Sequence, residues 1–488
     1  MAKNENIQKP EGFNESKFPL LKRELGGVQP YIPLGPFHLR IPLIHHRWSW
    51  TEMLAAMFLG VACLGAGTAT TMTTFGFDEA ANITALGLTE NGAFLMSLTF
   101  GILNAICYYL PSLLGDPVVP GWITPTLPLT LAYLSGFEKG PERTQAMIAL
   151  QLLVAAVFLF MGITKLAEKF VSAIPTSIKG GILLAAPITV MQTQLGENGQ
   201  LMKYPVAVLV GTCLLIFLSY SPLCQEKRKT NKFLDIMAKF GNLFPYLLAM
   251  VIGVAIKELA APQIELGTII KIPDFKGILE SYSLFGVGFP KLSMFISALP
   301  LALISYVLAF GDFVTTETLI KEAKEERDDE IIDFNSSRSN IISGLRNLIL
   351  AIFAPFPPLS GPLWVGMTVS VAVRYKEGKK AMKSLMGGMA SFRLATFISV
   401  IIVPVVSFMN PVFPVGSGIT LLFQAYVCAR IGMEYCKSAT DKSIAAIMAA
   451  VLAFKGSAWA LIVGFGLNLL MSNYDSMIAK REEKKEEN

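Results

Sequence analysis

The chain reads as an all-α polytopic membrane protein. We expect 14 transmembrane segments in two inverted repeats of seven, with half-helices and short extended breaks in segments 3 and 10. Three observations predict this. Apolar residues make up 53% of the 488 positions and charged residues 16%, with mean hydropathy +0.52, whereas soluble domains carry about 25% charged residues. The apolar residues fall into runs near the roughly 20 residues that a spanning helix needs. The runs of the second half echo those of the first at half the chain length. This composition argues against a disordered, nucleic-acid-binding or ordinary soluble protein. An outer-membrane barrel would show alternating apolar and polar residues instead.

Residues 1–48 are a polar preface, read as cytoplasmic, that closes on HHRWSW, with Trp48 and Trp50 suited to a membrane interface. The start MAKNENIQKPEGF lacks the pattern of a cleaved signal peptide. The first repeat, 49–260, holds runs at 50–76, 91–114, 119–135, 145–164, 175–195, 204–221 and 242–260. The third is short and follows the Pro/Gly-rich stretch GDPVVPGWITPT, and the fifth opens at IPTSIKGGILL. A connector, 261–292, leads to the second repeat, 293–474. Its runs are 293–320, 338–355, 360–374, 385–409, 414–433, 441–454 and 456–474. The eighth ends in the charged stretch KEAKEERDDE, the short tenth follows APFPPLSGPLW, and the thirteenth is also short. A charged tail, 475–488, closes the chain.

Charge distribution orients the runs. With the N-terminus inside, inner loops carry Lys165 and Lys169, the cluster Lys227, Arg228, Lys229 and Lys232, then Lys321, Lys324 and Arg327. Further on come Arg374, Lys376, Lys379, Lys380 and Lys383, then Lys437 and Lys442, then the tail. Outer loops near 78–90, 354–359 and 409–413 carry no Lys or Arg. This agrees with the positive-inside rule for a plasma or inner membrane protein with both termini cytoplasmic. The six cysteines form no CxxC pair, so buried free thiols are expected.

The repeat is visible in three places. LGAGTATTMTT (64–74) precedes LAFGDFVTTET (308–318) by 244 residues, half of 488. VPGWITPT (119–126) matches GPLWVGMT (361–368), and IPTSIKGGILL (174–184) more weakly matches FPVGSGITLLF (413–423). Seven spans per half is odd, so the halves must be inverted, as in many transporters. Proline removes a donor and disfavours helix before it. Non-helical backbone at membrane depth survives only inside protein or beside a cavity. Two half-helix N-termini would then meet near the midplane, where their dipoles suit an anionic or acceptor-rich substrate.

Asp312 is the leading candidate for chemistry. It lies eight residues from Ile320, about 12 Å into the helix, and an ionisable residue there is a functional hypothesis by default. It shares a face with Ser305, Thr315 and Thr316. The alternative is a structural hydrogen bond, or a pair with Arg346 or Arg393. Glu317 is a gate or a solvated helix end. Thr68 and Thr71 would line the opposite wall, or simply pack helices. Trp122 and Trp364 follow the breaks and could stack on a flat ring, or pack. Substrate contacts are therefore expected from Trp122, Ile123, Thr124, Thr126, Ser360, Gly361, Trp364, Thr68 and Thr316, and proton coupling from Asp312 and Glu317. Lys179 and Arg346 read as snorkelling helix-end residues, and His45 and His46 as surface. No metalloprotease, nucleophile-elbow, P-loop or dinucleotide motif occurs, so neither an enzyme, a metal site nor a cofactor is expected.

The paired breaks, the Pro-x-x-x-x-Gly of IPTSIKGGILL and the stretch DDEIIDFNSSRSNIISGLRNLI resemble the nucleobase–cation symporter (xanthine/uracil permease) family. Its wider fold group includes the sulfate permease-like anion transporters. The resemblance implies elevator-like movement of a core (spans 1–4 and 8–11) against a gate (spans 5–7 and 12–14). The partners expected are a small-molecule substrate, a coupling cation (proton over sodium) and the lipid bilayer, with a homodimer left open and no nucleic acid. The family's base-binding carboxylates are not carried over: Leu308 stands where the eighth span has Glu, and Pro362 stands at the tenth-span break. Proton-coupled nucleobase uptake is the first expectation. Anion transport by the same fold is the alternative, and a channel or scaffold the third.

Overall fold

Backbone groups of an apolar run find no partner in lipid, so each run must close its own hydrogen bonds as a helix. The computed structural model is mostly helical and describes residues 27–42, 44–76, 90–197, 199–240, 243–267, 269–270, 273–327 and 329–486. A helix falls on each expected run: α1 (Trp50–Phe75), α2 (Glu90–Leu114), α3 (Leu127–Leu134), α4 (Pro141–Thr164), α5 (Thr176–Gln194), α6 (Pro205–Tyr220) and α7 (Leu243–Ala255). The second half holds α8 (Leu292–Glu326), α9 (Ser336–Phe353), α10 (Val365–Lys376), α11 (Leu385–Ile401), α12 (Val412–Tyr435), α13 (Ala439–Lys455) and α14 (Ser457–Glu486). Among the described residues, α1, α4, α8 and α12 are long and apolar enough to cross a membrane by length and composition. The expected outer loop near 78–90 lies almost wholly outside the described residues.

The helices pack in two sets. In the first, α1, α2, α4 and α8 to α11 lie mainly against one another, and in the second α5, α6, α7 and α12 to α14 do. The contacts recur at an offset of seven in helix order. α1 packs on α11 as α8 packs on α4, and α2 on α11 as α9 on α4. In the second set, α5 meets α13 as α12 meets α6. Between the sets, α1 meets α12 as α8 meets α5.

Side-chain pairs place helix ends on two faces. Arg374 pairs with Glu52 at 2.8 Å, Lys376 with Glu322 at 2.9 Å, and the Ser384 hydroxyl donates to Glu330 at 2.8 Å. The start of α1, the ends of α8 and α10 and the start of α11 therefore share one face. On the other, the Tyr133 hydroxyl donates to the Met294 carbonyl at 3.2 Å and Gln145 to the Val287 carbonyl at 2.6 Å.

Two expectations need correction. Residues 385–409 do not form one helix. The chain is extended at Ile402, before Pro404, and the Val403 amide donates instead to Ile269 of the connector at 2.9 Å. The described part of the preface is folded onto the body. β1 (Gly27–Val28) pairs in parallel with β5 (Glu330–Ile331), and β2 (Ile32–Leu34) and β3 (Phe37–Leu39) form a hairpin. His45 and His46 are buried, not on the surface. The Ile41 amide donates to His45 Nδ1 at 2.9 Å, and the Tyr109 hydroxyl bonds His46 Nδ1 at 3.0 Å. Burial, with the nearby charge of Arg40 and with His45, holds the His46 pKa down to about 3.

Candidate functional site

The two proline-rich stretches leave amides and carbonyls that no helix can satisfy, and they satisfy one another. β4 (Gly121–Trp122) and β6 (Ser360–Gly361) pair antiparallel, Gly121 opposite Gly361 and Trp122 opposite Ser360. The ladder continues on both sides: the Ile123 amide donates to Leu359 at 2.8 Å and the Trp364 amide to Val119 at 2.7 Å. Glycine is required at this crossing because the backbones nearly touch. A Cβ at Gly121 would sit 2.6 Å from the Leu363 carbonyl oxygen, and one at Gly361 2.9 Å from the Ile123 nitrogen. The turn at Thr124–Thr126 and α3 follow the first strand, and α10 follows the second. Two helix N-termini thus leave one two-stranded junction.

Buried side chains hold this junction from behind. Arg346 of α9 donates to the carbonyls of Gly361 at 2.7 Å and Gly121 at 3.2 Å. Asn347 accepts from the Ser360 amide at 3.0 Å and donates to its carbonyl at 2.8 Å. Arg393 of α11 donates to the Pro120 carbonyl. The two guanidinium groups lie over the Tyr108 ring, 4.8 and 4.5 Å from its centroid, and Arg393 also lies 5.2 Å from the Trp364 ring. Among the described residues, neither arginine pairs with a carboxylate. Among the described residues, five buried donors at the junction meet no protein acceptor: Arg346 Nε, Arg393 Nε, the Trp122 indole nitrogen and the hydroxyls of Ser360 and Tyr108. A buried cation without a counter-charge is costly, and an anion would relieve that cost.

The sequence-derived candidates divide. Trp122, Ser360, Gly361 and Trp364 are in the junction. Ile123 is there by its backbone, but its side chain is buried in the core. Thr126 spends its hydroxyl on the Ile123 carbonyl at 2.7 Å, and Thr124 donates more weakly to Trp122 at 3.4 Å. Thr68 and Thr71 are buried and donate back to their own helix, to Leu64 at 2.7 Å and Gly67 at 2.8 Å. Thr316 does the same to the Asp312 carbonyl at 2.7 Å. It is Gly67 that faces the junction, where a Cβ would lie 2.6 Å from the Trp122 ring.

Asp312 is half-buried on α8, which packs against α10 and the turn at 124–126. Among the described residues no basic group pairs with it, so neither Arg346 nor Arg393 is its partner. Its neighbour Gly311 faces open space. Glu317 is exposed and accepts from the Ser336 hydroxyl at the start of α9, away from the junction.

Sequence reasoning misread Arg346. It lies ten residues into α9, about 15 Å along the axis, too deep to snorkel to the near face, and it is fully buried. Arg393, Tyr108 and Asn347 were missed as junction residues. The available signal was an arginine inside an apolar run, in the ninth and again in the eleventh.

The sequence matches no family model and no curated protein. The structure is similar to solved transporters. An SLC26A9 structure aligns with TM-score 0.50 at 14% identity, covering 87% of this chain and 65% of that one. The murine Solute Carrier 26 family member A9 anion transporter, in its inward-facing state, aligns at 0.49 and 14%, covering 89% and 69%. The transmembrane domain of the cyanobacterial bicarbonate transporter BicA aligns at 0.41 and 12%, covering 80% and 98%. The first of these shows a shared fold and no more; this chain spans about two-thirds of its length.

Proposed function

We propose that the chain is a secondary active transporter of small anions, of the inorganic oxyanion or small carboxylate kind, in the inner or plasma membrane. One observation carries the reading: two buried arginines that have no carboxylate partner among the described residues stand at the junction from which two helix N-termini depart. The short α3 and α10 act as half-helices whose dipoles add positive potential at that point. The helices on the expected runs, α1 to α14, with contacts recurring at an offset of seven, support two inverted repeats, 49–260 and 293–474. The two packing sets support a core that moves against a gate.

In this reading the anion sits before the junction, beside Trp122, Ser360, Trp364 and the first turns of α3 and α10. Asp312 sits on the α8 wall. Its negative charge opposes a bound anion, and a proton taken up with the anion removes that charge. Anion and proton would then travel together. A nucleobase remains the second reading, favoured by the two indole rings at the breaks. Both rings are already engaged, however: Trp122 against Gly67 and Phe356, and Trp364 against Arg393 and Phe392.

Uptake by proteoliposomes tests this. Saturable uptake of sulfate, bicarbonate or a dicarboxylate, driven by an inward proton gradient, is expected. Uptake of uracil or xanthine with no anion transport would favour the second reading, and steady conductance without saturation would indicate a channel.

A further inference from the structure

The segment between α6 and α7 is built unlike the other loops. Pro222–Lys227 forms a helical turn, and Lys232–Lys239 forms an amphipathic helix capped by Asn231, whose side chain accepts from the amides of Phe233 and Leu234 at 3.0 and 3.2 Å. Its axis is turned 96° from α7. On the reading of α7 as a span, this helix lies in the plane of the membrane surface. Arg228 pairs with Asp235 at 3.1 Å, which folds the intervening loop against the helix. Lys227, Lys229 and Lys232 are exposed beside the exposed side chains of Phe233, which is 66% accessible, Leu223 and Ile236. From 222 to 239 the chain has five cations, Lys227, Arg228, Lys229, Lys232 and Lys239, against two acids, Glu226 and Asp235.

We propose that this segment is a docking surface for anionic phospholipid. The lysines would meet the headgroups, while Phe233 and Leu223 enter the acyl boundary. An in-plane amphipathic helix with a basic rim has this chemistry, and each lysine near an anionic surface adds to binding. Part of this segment is already committed: Phe240, just past the helix, lines a cavity of about 200 Å³ with Glu52, Arg374 and Phe392, and the half-exposed Ile236 borders it. The lipid-facing role therefore falls to Phe233 and the loop lysines.

The test is thermal unfolding of the full-length protein in detergent, titrated with phosphatidylglycerol or phosphatidylcholine. Wild type should be stabilised at a concentration of phosphatidylglycerol at least tenfold lower than of phosphatidylcholine. The exposed triple variant K227Q/K229Q/K232Q should lose about tenfold of that preference, and Phe233→Ser part of it. Lys379→Gln with Lys380→Gln, at a separate basic loop, should keep it. Equal responses to the two lipids, or a preference that survives the triple variant, would overturn the proposal. The assay reads lipid binding, not uptake, so a failure of the anion-transport reading leaves its outcome intact.

Discussion

Replacing Arg346 by Met tests the core of the proposal, because the methionine keeps much of the side-chain stem and removes the charge. Two charge-assisted hydrogen bonds are lost, to Gly361 at 2.7 Å and Gly121 at 3.2 Å, at about 1.5–3 kcal/mol each. The contact over Tyr108 at 4.8 Å is lost as well, at about 1–2 kcal/mol. Against this, an uncompensated buried cation is removed, and relief of its desolvation offsets part of the loss. The net destabilisation should be about 2–4 kcal/mol. The functional effect should be separable. Removing one partner of a buried charge contact costs about 2–5 kcal/mol, so the KM for sulfate should rise at least roughly thirtyfold. The assay is sulfate uptake by proteoliposomes alongside thermal unfolding of the same preparation. Arg346→Lys should recover part of the affinity but less of the stability, because an ammonium cannot span both carbonyls as a guanidinium fork does. If Arg346→Met folds and takes up sulfate with a KM within twofold of wild type, the arginine is structural and the anion reading loses its support.

Four further outcomes follow from the structure. Asp312→Asn should keep sulfate binding while abolishing accumulation driven by a proton gradient; concentrative uptake in that variant would remove Asp312 from coupling. Gly121→Ala should cost about 1–3 kcal/mol, because its Cβ would lie 2.6 Å from a backbone oxygen that cannot give way. Gly466→Ala, where no atom lies within 4 Å of the new methyl, should be neutral or stabilising by up to about 1 kcal/mol, as compared by melting. His46 should make the protein acid-sensitive. Its folded pKa, about 3, lies below its ordinary 6.5, so its contribution is fully present above pH 6.5. Below that only the unfolded chain takes the proton, and stability falls by about 1.4 kcal/mol per pH unit. Melting of His46→Gln between pH 7 and 5 should show a shallower slope than wild type, and an unchanged slope would refute the assignment.

Much of the site's location was legible in the chain. Proline and glycine interrupt two apolar runs at matching places, and an interrupted run must find other partners for its backbone. That argument leads to residues 119–126 and 354–364 without coordinates. Asp312 stood out for a similar reason, since a carboxylate in an apolar run is costly, and its coupling role is a proposal. Several hydroxyl candidates were not, because Thr68, Thr71 and Thr316 spend their donors on the carbonyl four residues earlier. A helix permits that bond at any threonine, and periodicity cannot tell it from a free hydroxyl.

What the sequence by itself determined is therefore local: which runs become helices, and where the two proline-rich runs break. Both follow from the single requirement that a backbone in lipid satisfy its own hydrogen bonds. What only the tertiary structure decided is which charges meet at the candidate site. Arg346 and Arg393 are distant in sequence from Pro120, Gly121 and Tyr108, and no spacing rule connects them. Packing of α9 and α11 behind the β4–β6 ladder directs both guanidinium groups at one junction, and among the described residues neither is paired with a carboxylate. The potential at a buried point depends on which charges surround it in space, so the proposed preference for an anion rests on the assembled helices.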